Sequence, residues 1–482
     1  MVRRMSPRAL LFVLLVIAAC RGPSSPPARA AEPAVVPTEV WVDGARAQSG
    51  DGSRGRPFRT LGEALAPRPA PTVHIAQGLY AGPFTLPPGA RLLGVGPTTV
   101  LYVEGQEPVL RAGAGAMLER LAIQGGGWGV EAAQGLQLES VSFSGQRQGA
   151  VRATGGKLTA RGVRFEASLS ETVGLALEGA VTAEVKESTF AGPWRRGLQV
   201  LGGAQAELEA VGFSGAVMAL DQEGGRVRLR RVTVEGGRGP GLLARDGTLQ
   251  LEEVTVTGHE YGLASNGAKL EVRGFTSVRA ERAGLGLARS TGRLEDLQVR
   301  ESGSFGALQL IDSDLEVQGF RVEGANGYGV TATKGRLRAR DGTISRLHSS
   351  EGFTGDGLHL RGVKADFQAV RISDVPGAGV LAAQGGEVVL RDVTLTRCKH
   401  AGLLVENLGR VQATGLEVRG PGGPAVAVLR DGDASVDQLT ASELTEGLVW
   451  AECEGSARLR LGRVQSEDRQ GLTAPCVEQQ AR

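Results

Sequence analysis

Apolar residues alternate with polar or small residues through most of the chain, with a period of two rather than 3.6. One clean copy of the pattern contains three such pairs in succession, Leu242/Ala244, Leu249/Leu251 and Val254/Val256. Side chains on a β-strand point alternately to opposite faces, so each pair predicts a short strand with two inward residues. The pattern therefore predicts three short strands in every copy.

The same pattern returns at a nearly constant interval. We call the first apolar residue of each copy the anchor, and the anchors recur about every 22.7 residues. They are Val130, Val151, Leu175, Leu198, Val217, Leu242, Leu263, Leu285, Leu308, Val330, Leu358, Val380, Leu403, Val426 and Leu448. The residue two positions later is apolar in fourteen of these fifteen copies, Trp450 included, as an inward position requires.

A fixed period of this length, combined with strand alternation, is typical of a solenoid. Each copy closes one three-sided coil, and every strand pairs in parallel with the same strand of the next coil, ~4.8 Å away. We therefore predict an all-β, single-stranded parallel β-helix. Leu242, Leu263 and Leu285 should then lie directly above one another inside it. Leucine-rich repeats need a fixed L-x-x-L-x-L frame, which is absent here.

Three N-terminal segments carry a family resemblance. They are residues 41–44 (WVDG), 56–66 (RPFRTLGEALA) and 73–80 (VHIAQGLY). Together with the repeats, they resemble the pectin-lyase-like right-handed β-helix superfamily over residues 39–482. The resemblance implies a right-handed coil. It does not select a function, because the superfamily holds lyases, glycosidases, epimerases and adhesins.

The second of these segments also predicts a short helix. Apolar residues at positions 61, 64 and 65 have the spacing of one helix face. Thr60 can cap the helix, and Glu63 stands at the capping-box position. A helix here would cover the open N-terminal end of the solenoid, where apolar core and strand edges are otherwise exposed.

The N-terminus resembles a bacterial lipoprotein signal. Residues 10–19 (LLFVLLVIAA) are apolar but too short to span a bilayer, and they end at Cys20. The resemblance implies that Cys20 is lipidated and anchors the protein to the cell envelope, with the outer membrane as the expected membrane. We predict a signal peptide at 1–20, a Pro/Ala-rich tether at 21–38, a cap with the first coils at 39–124 and repeated coils at 125–482.

Charge and cysteine content narrow the partners. The formal net charge of +2 favours no nucleic-acid partner. Cys453 and Cys476 lie about one coil apart, so we predict a disulfide between them in an oxidising compartment. Cys398 is then left as a sheltered free thiol. The spacing of the His and Cys residues resembles no metal site, and we predict neither metal nor cofactor.

The residues that follow the anchors directly should point outward. They are Glu131, Arg152, Ala176, Gln199, Met218, Leu243, Ala264, Gly286, Gln309, Thr331, His359, Leu381, Leu404, Ala427 and Val449. Only the first two carry formal charge and none is Asp. This strand therefore supplies neither the facing acids of a glycosidase nor the oxygen ligands of a Ca²⁺ site.

Chemistry-bearing residues are denser in the longest gap between anchors, at residues 341–359. Glu351, Asp356 and His359 are candidates there for a general acid/base site, with a solvated turn as the alternative. Four aromatic residues, Trp128, Tyr261, Phe305 and Tyr328, each precede a Gly near an anchor. We predict that they share one corner of the coil, where they either stack on each other or bind sugar rings.

Two functions remain open at this point. The first is a non-catalytic envelope protein that binds a polysaccharide or an envelope protein. The second is a polysaccharide lyase or glycoside hydrolase with its site around residues 341–359. The uncharged outward strand favours the first function.

Overall fold

The computed structural model of the 482-residue chain describes residues 38–66, 70–349 and 355–479. The predicted signal peptide, Cys20 and all but the last residue of the predicted tether lie outside these ranges. No helix within the described ranges has the length and apolar character needed to cross a membrane.

The described residues form one short helix and forty strands. The helix, α1, is Leu61–Leu65. The first twenty strands are β1 (Glu39–Val42), β2 (Thr72–Ile75), β3 (Gly78–Ala81), β4 (Phe84–Thr85), β5 (Arg91–Leu93), β6 (Thr99–Val103), β7 (Leu110–Ala112), β8 (Ala116–Glu119), β9 (Ala122–Gly125), β10 (Trp128–Ala132), β11 (Leu136–Glu139), β12 (Ser142–Ser144), β13 (Gly149–Arg161), β14 (Arg164–Glu166), β15 (Val173–Lys186), β16 (Thr189–Ala191), β17 (Arg196–Leu201), β18 (Gln205–Glu209), β19 (Gly212–Ser214) and β20 (Met218–Glu223). The others are β21 (Arg226–Glu235), β22 (Leu242–Arg245), β23 (Thr248–Thr257), β24 (Tyr261–Asn266), β25 (Lys269–Val278), β26 (Ala283–Ala288), β27 (Thr291–Arg300), β28 (Leu308–Glu323), β29 (Val330–Ser345), β30 (Leu358–Arg361), β31 (Lys364–Val375), β32 (Ala378–Ala383), β33 (Glu387–Cys398), β34 (Ala401–Val405), β35 (Arg410–Arg419), β36 (Val426–Val428), β37 (Asp433–Ser442), β38 (Val449–Ala451), β39 (Arg458–Gln465) and β40 (Val477–Gln479).

These strands stack as a parallel solenoid of about 18 turns, about 22 residues apart. Leu242 pairs with Leu263 and Leu263 with Leu285, and all three side chains are fully buried. The predicted right-handed parallel β-helix is therefore confirmed. Each coil buries only a few apolar residues, so its core is completed by the coils above and below it.

A left-handed residue turns the chain after the second strand of each coil. At this position, fourteen successive coils from Arg120 to Gly415 have φ values between 49° and 70°. Most of these residues are not glycine; Glu253, Asp296 and Asp392 are examples. A non-glycine residue in this region costs roughly 1–2 kcal/mol. The corner is therefore imposed by the pairing of the strands on either side of it, because local sequence preference opposes it.

The interior contains ordered ladders that no single coil shows. The rings of Phe143, Phe165, Phe190 and Phe213 stack in register, with centroid distances of 5.3, 4.2 and 4.6 Å. Offset stacking of this kind adds about 0.5–1.5 kcal/mol per pair beyond the burial of the rings.

Helix α1 forms as the sequence predicts. The Thr60 hydroxyl accepts a hydrogen bond from the Glu63 amide at 3.3 Å, and the Glu63 carboxylate accepts one from the Thr60 amide at 2.9 Å. Both bonds of the predicted capping box are therefore present. Leu61 and Ala64 are buried in the same core as the β1 residues Val40 and Val42.

The cysteines divide as the sequence suggests. Cys453 and Cys476 are joined by a disulfide, with their Cα atoms 5.3 Å apart. Cys398 is a free, buried thiol. Burial, assisted by the nearby Asp374 and Asp356 carboxylates, raises the pKa of this thiol to about 12. Because the thiolate is the reactive form, Cys398 is chemically inert at neutral pH.

The anchor predicted at Val217 is wrong. Leu220 pairs with Leu242 and is the true anchor of its coil. Residues 216–220 are apolar throughout, so alternation alone permits more than one frame. Pairing with the neighbouring coils selects one of them. The outward residue of this coil is therefore Asp221 and not Met218, and the expectation that no Asp occupies the outward strand is wrong as well.

The last anchor is also shifted, by one residue. Val449, not Leu448, pairs with Val426, and Trp450 pairs with Ala427. Trp450 was predicted to point inward, but it points outward and is 54% exposed. The apolar run at 448–451 again allows two frames, and the register of the preceding coil selects between them.

Candidate functional site

The outward side of the anchor strands carries a long uncharged row, which we call the anchor stripe. Its ten residues, each paired with the next, are Leu243, Ala264, Gly286, Gln309, Thr331, His359, Leu381, Leu404, Ala427 and Trp450. Nine steps of ~4.8 Å make the stripe roughly 43 Å long. No side chain in it carries a fixed charge, because it contains no Asp, Glu, Lys or Arg.

The stripe begins next to a buried ion-pair cluster. Asp221 precedes Leu243 in the outward row and is only 1% exposed. Its carboxylate pairs with Arg196 and, at 2.8 Å, with Arg245. Both carboxylate oxygens are used by these arginines. A carboxylate so enclosed and so fully paired holds coils together and is not available to a ligand.

Two of the predicted aromatic residues lie over glycines of the next coil. The Tyr261 ring covers Gly286, where an added Cβ atom would lie 2.9 Å from Tyr261 Cε1. The Trp128 ring covers Gly149 in the same way, at 2.2 Å from Cζ3. The glycines are required because any side chain would lift the rings off the backbone. Each ring is half-buried, with one face on the protein.

Tyr328 and Phe305 differ from this arrangement. Tyr328 packs against the His359 imidazole, with ring centroids 4.6 Å apart and planes inclined by 54°. Tyr328 stands two residues before its anchor, as Trp128 and Tyr261 do, whereas Phe305 stands three residues before Leu308. Phe305 therefore does not occupy the same position in its coil as the other three aromatic residues. It lies in a turn, where it is 41% exposed beneath the Arg282 guanidinium.

Asp356 and His359 form a hydrogen-bonded pair beside the stripe. Asp356 Oδ2 and His359 Nδ1 are 2.7 Å apart, and Asp356 Oδ1 accepts a bond of 2.7 Å from the Ala378 amide. Asp356 is almost fully buried. The backbone bond fixes the carboxylate, and the carboxylate in turn fixes the imidazole, so that Nε2 is left as the nitrogen that can exchange a proton with a ligand.

The remaining predicted catalytic candidate, Glu351, lies outside the described residues. The structure thus joins two of the three candidates and describes no second acid facing His359. Within the described ranges, no group of three or more His, Cys, Asp or Glu side chains is arranged to hold a metal ion.

Beyond His359 the stripe becomes apolar. Leu381, Leu404 and Ala427 belong to a second hydrophobic cluster, separate from the interior core, with Ala378, Ala383 and Ala401 around them and Leu429 packed against it. This cluster leads directly to Trp450. The sequence pattern does not reveal this cluster, because the frame predicted at the last anchor places Trp450 inside the solenoid. The outward Leu381, Leu404 and Ala427 were visible in the sequence but were not linked to one another.

Comparison with known proteins finds distant similarities among solved structures. No protein-family model and no curated protein matches the chain. Among solved structures, it is similar to the catalytic unit of a thermostable GH87 α-1,3-glucanase from Streptomyces thermodiastaticus strain HF3-3, at 13% identity and TM-score 0.37, over 88% of this chain and 72% of that one. It is also similar to a family 28 exopolygalacturonase of Yersinia enterocolitica, at 11% identity and TM-score 0.32, over 88% and 79%.

A third similar structure is the PL6 family alginate lyase AlyGC, at 10% identity and TM-score 0.27, over 83% of this chain and 91% of that one. The parallel β-helix rests on the strand pairing described above, and the similarity to these solved structures is low. At such low identities and TM-scores it says nothing about the site, so the site must be judged on its own residues.

Proposed function

We propose that this chain is a non-catalytic, envelope-displayed protein that binds a polysaccharide along the anchor stripe. The observation that carries the proposal is the composition of the stripe. Across ten successive coils the stripe contains no fixed charge, and aromatic rings lie on it or beside it. Lipidation of Cys20 and the tether at 21–38 would hold this surface out from the membrane, as the sequence predicts.

The chemistry of the stripe suits sugars. A pyranose ring has an apolar C–H face, which packs on an aromatic face such as that of Tyr261. The Gln309 amide and the Thr331 hydroxyl lie side by side on the stripe and can both donate to and accept from sugar hydroxyls. A polymer laid along the solenoid axis would meet these groups on successive coils.

The proposal is tested by removing rings on and off the stripe. Soluble β-glucan, polygalacturonate, alginate and chitosan would be titrated against the whole protein by calorimetry. We expect one of them to bind, and the double variant Tyr261→Ala/Tyr328→Ala to weaken that binding by about thirtyfold, or ~2 kcal/mol. Trp128→Ala is the matched control, because Trp128 lies outside the stripe, and it should bind normally.

Two results would contradict the proposal. One is that none of the four polymers binds to the protein. The other is that Trp128→Ala weakens binding as strongly as the double variant does. Circular dichroism would show that each variant keeps its β-structure.

One observation favours a second function, a carbohydrate-active enzyme. The pairing of Asp356 with His359 at 2.7 Å is the arrangement expected of a general base with a positioning carboxylate. His359 Nε2 would accept a proton from the substrate, and Asp356 would stabilise the resulting imidazolium. Assays for new reducing ends or unsaturated sugars on the same four polymers test this alternative. Turnover that His359→Gln abolishes and Trp128→Ala leaves intact would establish it.

A further inference from the structure

The C-terminal end of the anchor stripe opens into a depression of about 420 Å³. Its apolar floor is made by Leu404, Ala427, Leu429 and Trp450. The strand-to-strand loop at 422–424 and the loop that carries Glu446 form its sides. Trp450 is 54% exposed, although a tryptophan next to so much apolar surface would ordinarily be covered.

Two carboxylates stand at the rim of this depression. Glu446 and Glu452 both line it and are both exposed. Neither forms an ion pair with any described residue. Lys399 also lines the depression, and it too forms no ion pair with them. An aromatic face flanked by two unpaired carboxylates is an arrangement that attracts an organic cation.

We propose that this depression binds the primary ammonium group of an amino sugar, so that the polymer on the stripe is a hexosamine polymer with free amines. This inference rests on the proposed function, since it names the sugar class that the same stripe takes. The C–H face of the sugar would pack on Trp450, and its ammonium group would pair with the carboxylates of Glu446 and Glu452.

Continuity with the stripe argues for a sugar rather than a basic peptide. Ala427 and Trp450 are the last two residues of the stripe and also part of the floor. A polymer that follows the uncharged stripe from Gln309 therefore arrives in the depression without a change of direction. The two carboxylates would repel uronic acid polymers, which carry a negative charge on each sugar.

The test compares β-1,4-linked hexamers that differ in one substituent. Hexamers of glucosamine, N-acetylglucosamine and glucose would be titrated against the whole protein, with Trp450 fluorescence and calorimetry as readouts. We expect the glucosamine hexamer to bind about tenfold more tightly than the other two. This preference should weaken as salt is raised, because exposed charges are screened.

Substitutions in the depression test which residues produce the preference for the glucosamine hexamer. Glu446→Gln/Glu452→Gln should bring the glucosamine hexamer down to the affinity of the glucose hexamer and leave the latter unchanged. Trp450→Leu should weaken all three hexamers. Glu454→Gln, which alters an exposed carboxylate outside the depression, is the matched control and should keep the full preference.

The possible failures are distinct from one another. If the glucose or N-acetylglucosamine hexamer binds as tightly as glucosamine, or if the double Gln variant keeps the preference, the amino-sugar inference is wrong while binding on the stripe stands. If a tetralysine peptide binds in competition and more tightly than the glucosamine hexamer, the depression is a peptide site and the inference is wrong. If no oligosaccharide or polysaccharide binds, the proposed function fails, and the inference with it.

Discussion

Two outward rows of the same solenoid have opposite compositions. The row on the second strand alternates in sign over five successive coils, through Glu271, Arg293, Glu316, Arg338 and Asp366. Within it, Glu316 pairs with Arg293 at 3.0 Å and with Arg338 at 3.5 Å. The anchor stripe spans the same coils with the same backbone pairing and contains no fixed charge.

The difference indicates which row stabilises the fold and which row can bind a ligand. In a solenoid, equivalent side chains of neighbouring coils are ~4.8 Å apart, so like charges repel and opposite charges pair. On the second strand, opposite charges pair with one another and are not available to a ligand. The stripe is not stabilised by ion pairs between coils, and its hydrogen-bonding and aromatic groups stay available to a ligand.

The strongest test of this contrast is Asp221, the buried charge on the anchor side. Asp221→Asn removes the negative partner of Arg196 and Arg245 and leaves two close positive charges. We expect a loss of about 3 kcal/mol in the free energy of unfolding. Chemical denaturation followed by circular dichroism measures it. Glu223→Gln, which removes an exposed carboxylate paired with the same Arg245 at 3.3 Å, is the control and should cost under ~1 kcal/mol. Equal losses would show that burial does not distinguish Asp221.

A second test transplants a charge onto the stripe. Thr331→Arg places a cation between Gln309 and His359, and we expect it to weaken polysaccharide binding by about tenfold through crowding and unpaired charge. Calorimetry with the polymer that binds the unaltered protein measures the change.

The matched control adds the same side chain to the charged row. Gln250 lies between Arg228 and Glu271 on the second strand, so Gln250→Arg gains Glu271 as a partner. It should leave polysaccharide binding unchanged. Equal weakening by both variants would mean that the stripe is not the binding surface.

The sequence predicted the solenoid because its main determinant is periodic. Inward leucines such as Leu242, Leu263 and Leu285 can be read by alternation alone, and the structure stacks them. The corner residues of the coils were harder to predict from the sequence. Left-handed residues such as Glu253 and Asp392 carry no glycine signature, since pairing on both sides holds them in place.

The candidate site was predicted only in part, for the same physical reason. Inside a continuous apolar run, alternation does not show which residues point inward. The inward residues are determined there by hydrogen bonds to the strands of adjacent coils. Met218 and Trp450 were therefore assigned to the wrong positions in their coils, each inside such a run. The proximity of Asp356 and His359 was open to prediction, because they lie three positions apart at the start of one strand.

A smaller effect is expected from single ion pairs in the charged row. Arg293→Gln removes the 3.0 Å partner of Glu316, and both side chains are about half exposed. We expect the loss in the free energy of unfolding to be at most ~1 kcal/mol and to vanish at high salt. Denaturation at low and high ionic strength measures it, and polysaccharide binding should not change. A loss that persists at high salt would show that Arg293 acts through packing and not through charge.

The smallest expected effect is the pH dependence of the charged row. Hydrogen bonds and charge from Arg293 lower the pKa of Glu316 below 4.5, and the Gln250 amide and Lys269 lower that of Glu271. A lowered folded-state pKa stabilises the fold above the unfolded value and loses that contribution as pH falls through the folded value. The thermal midpoint should therefore decline below about pH 4.5, and Glu316→Gln should decline less steeply because it lacks one of the titrating groups. An identical slope in the variant would mean that the acid sensitivity arises elsewhere. The stripe itself contains no carboxylate and should not contribute to that slope.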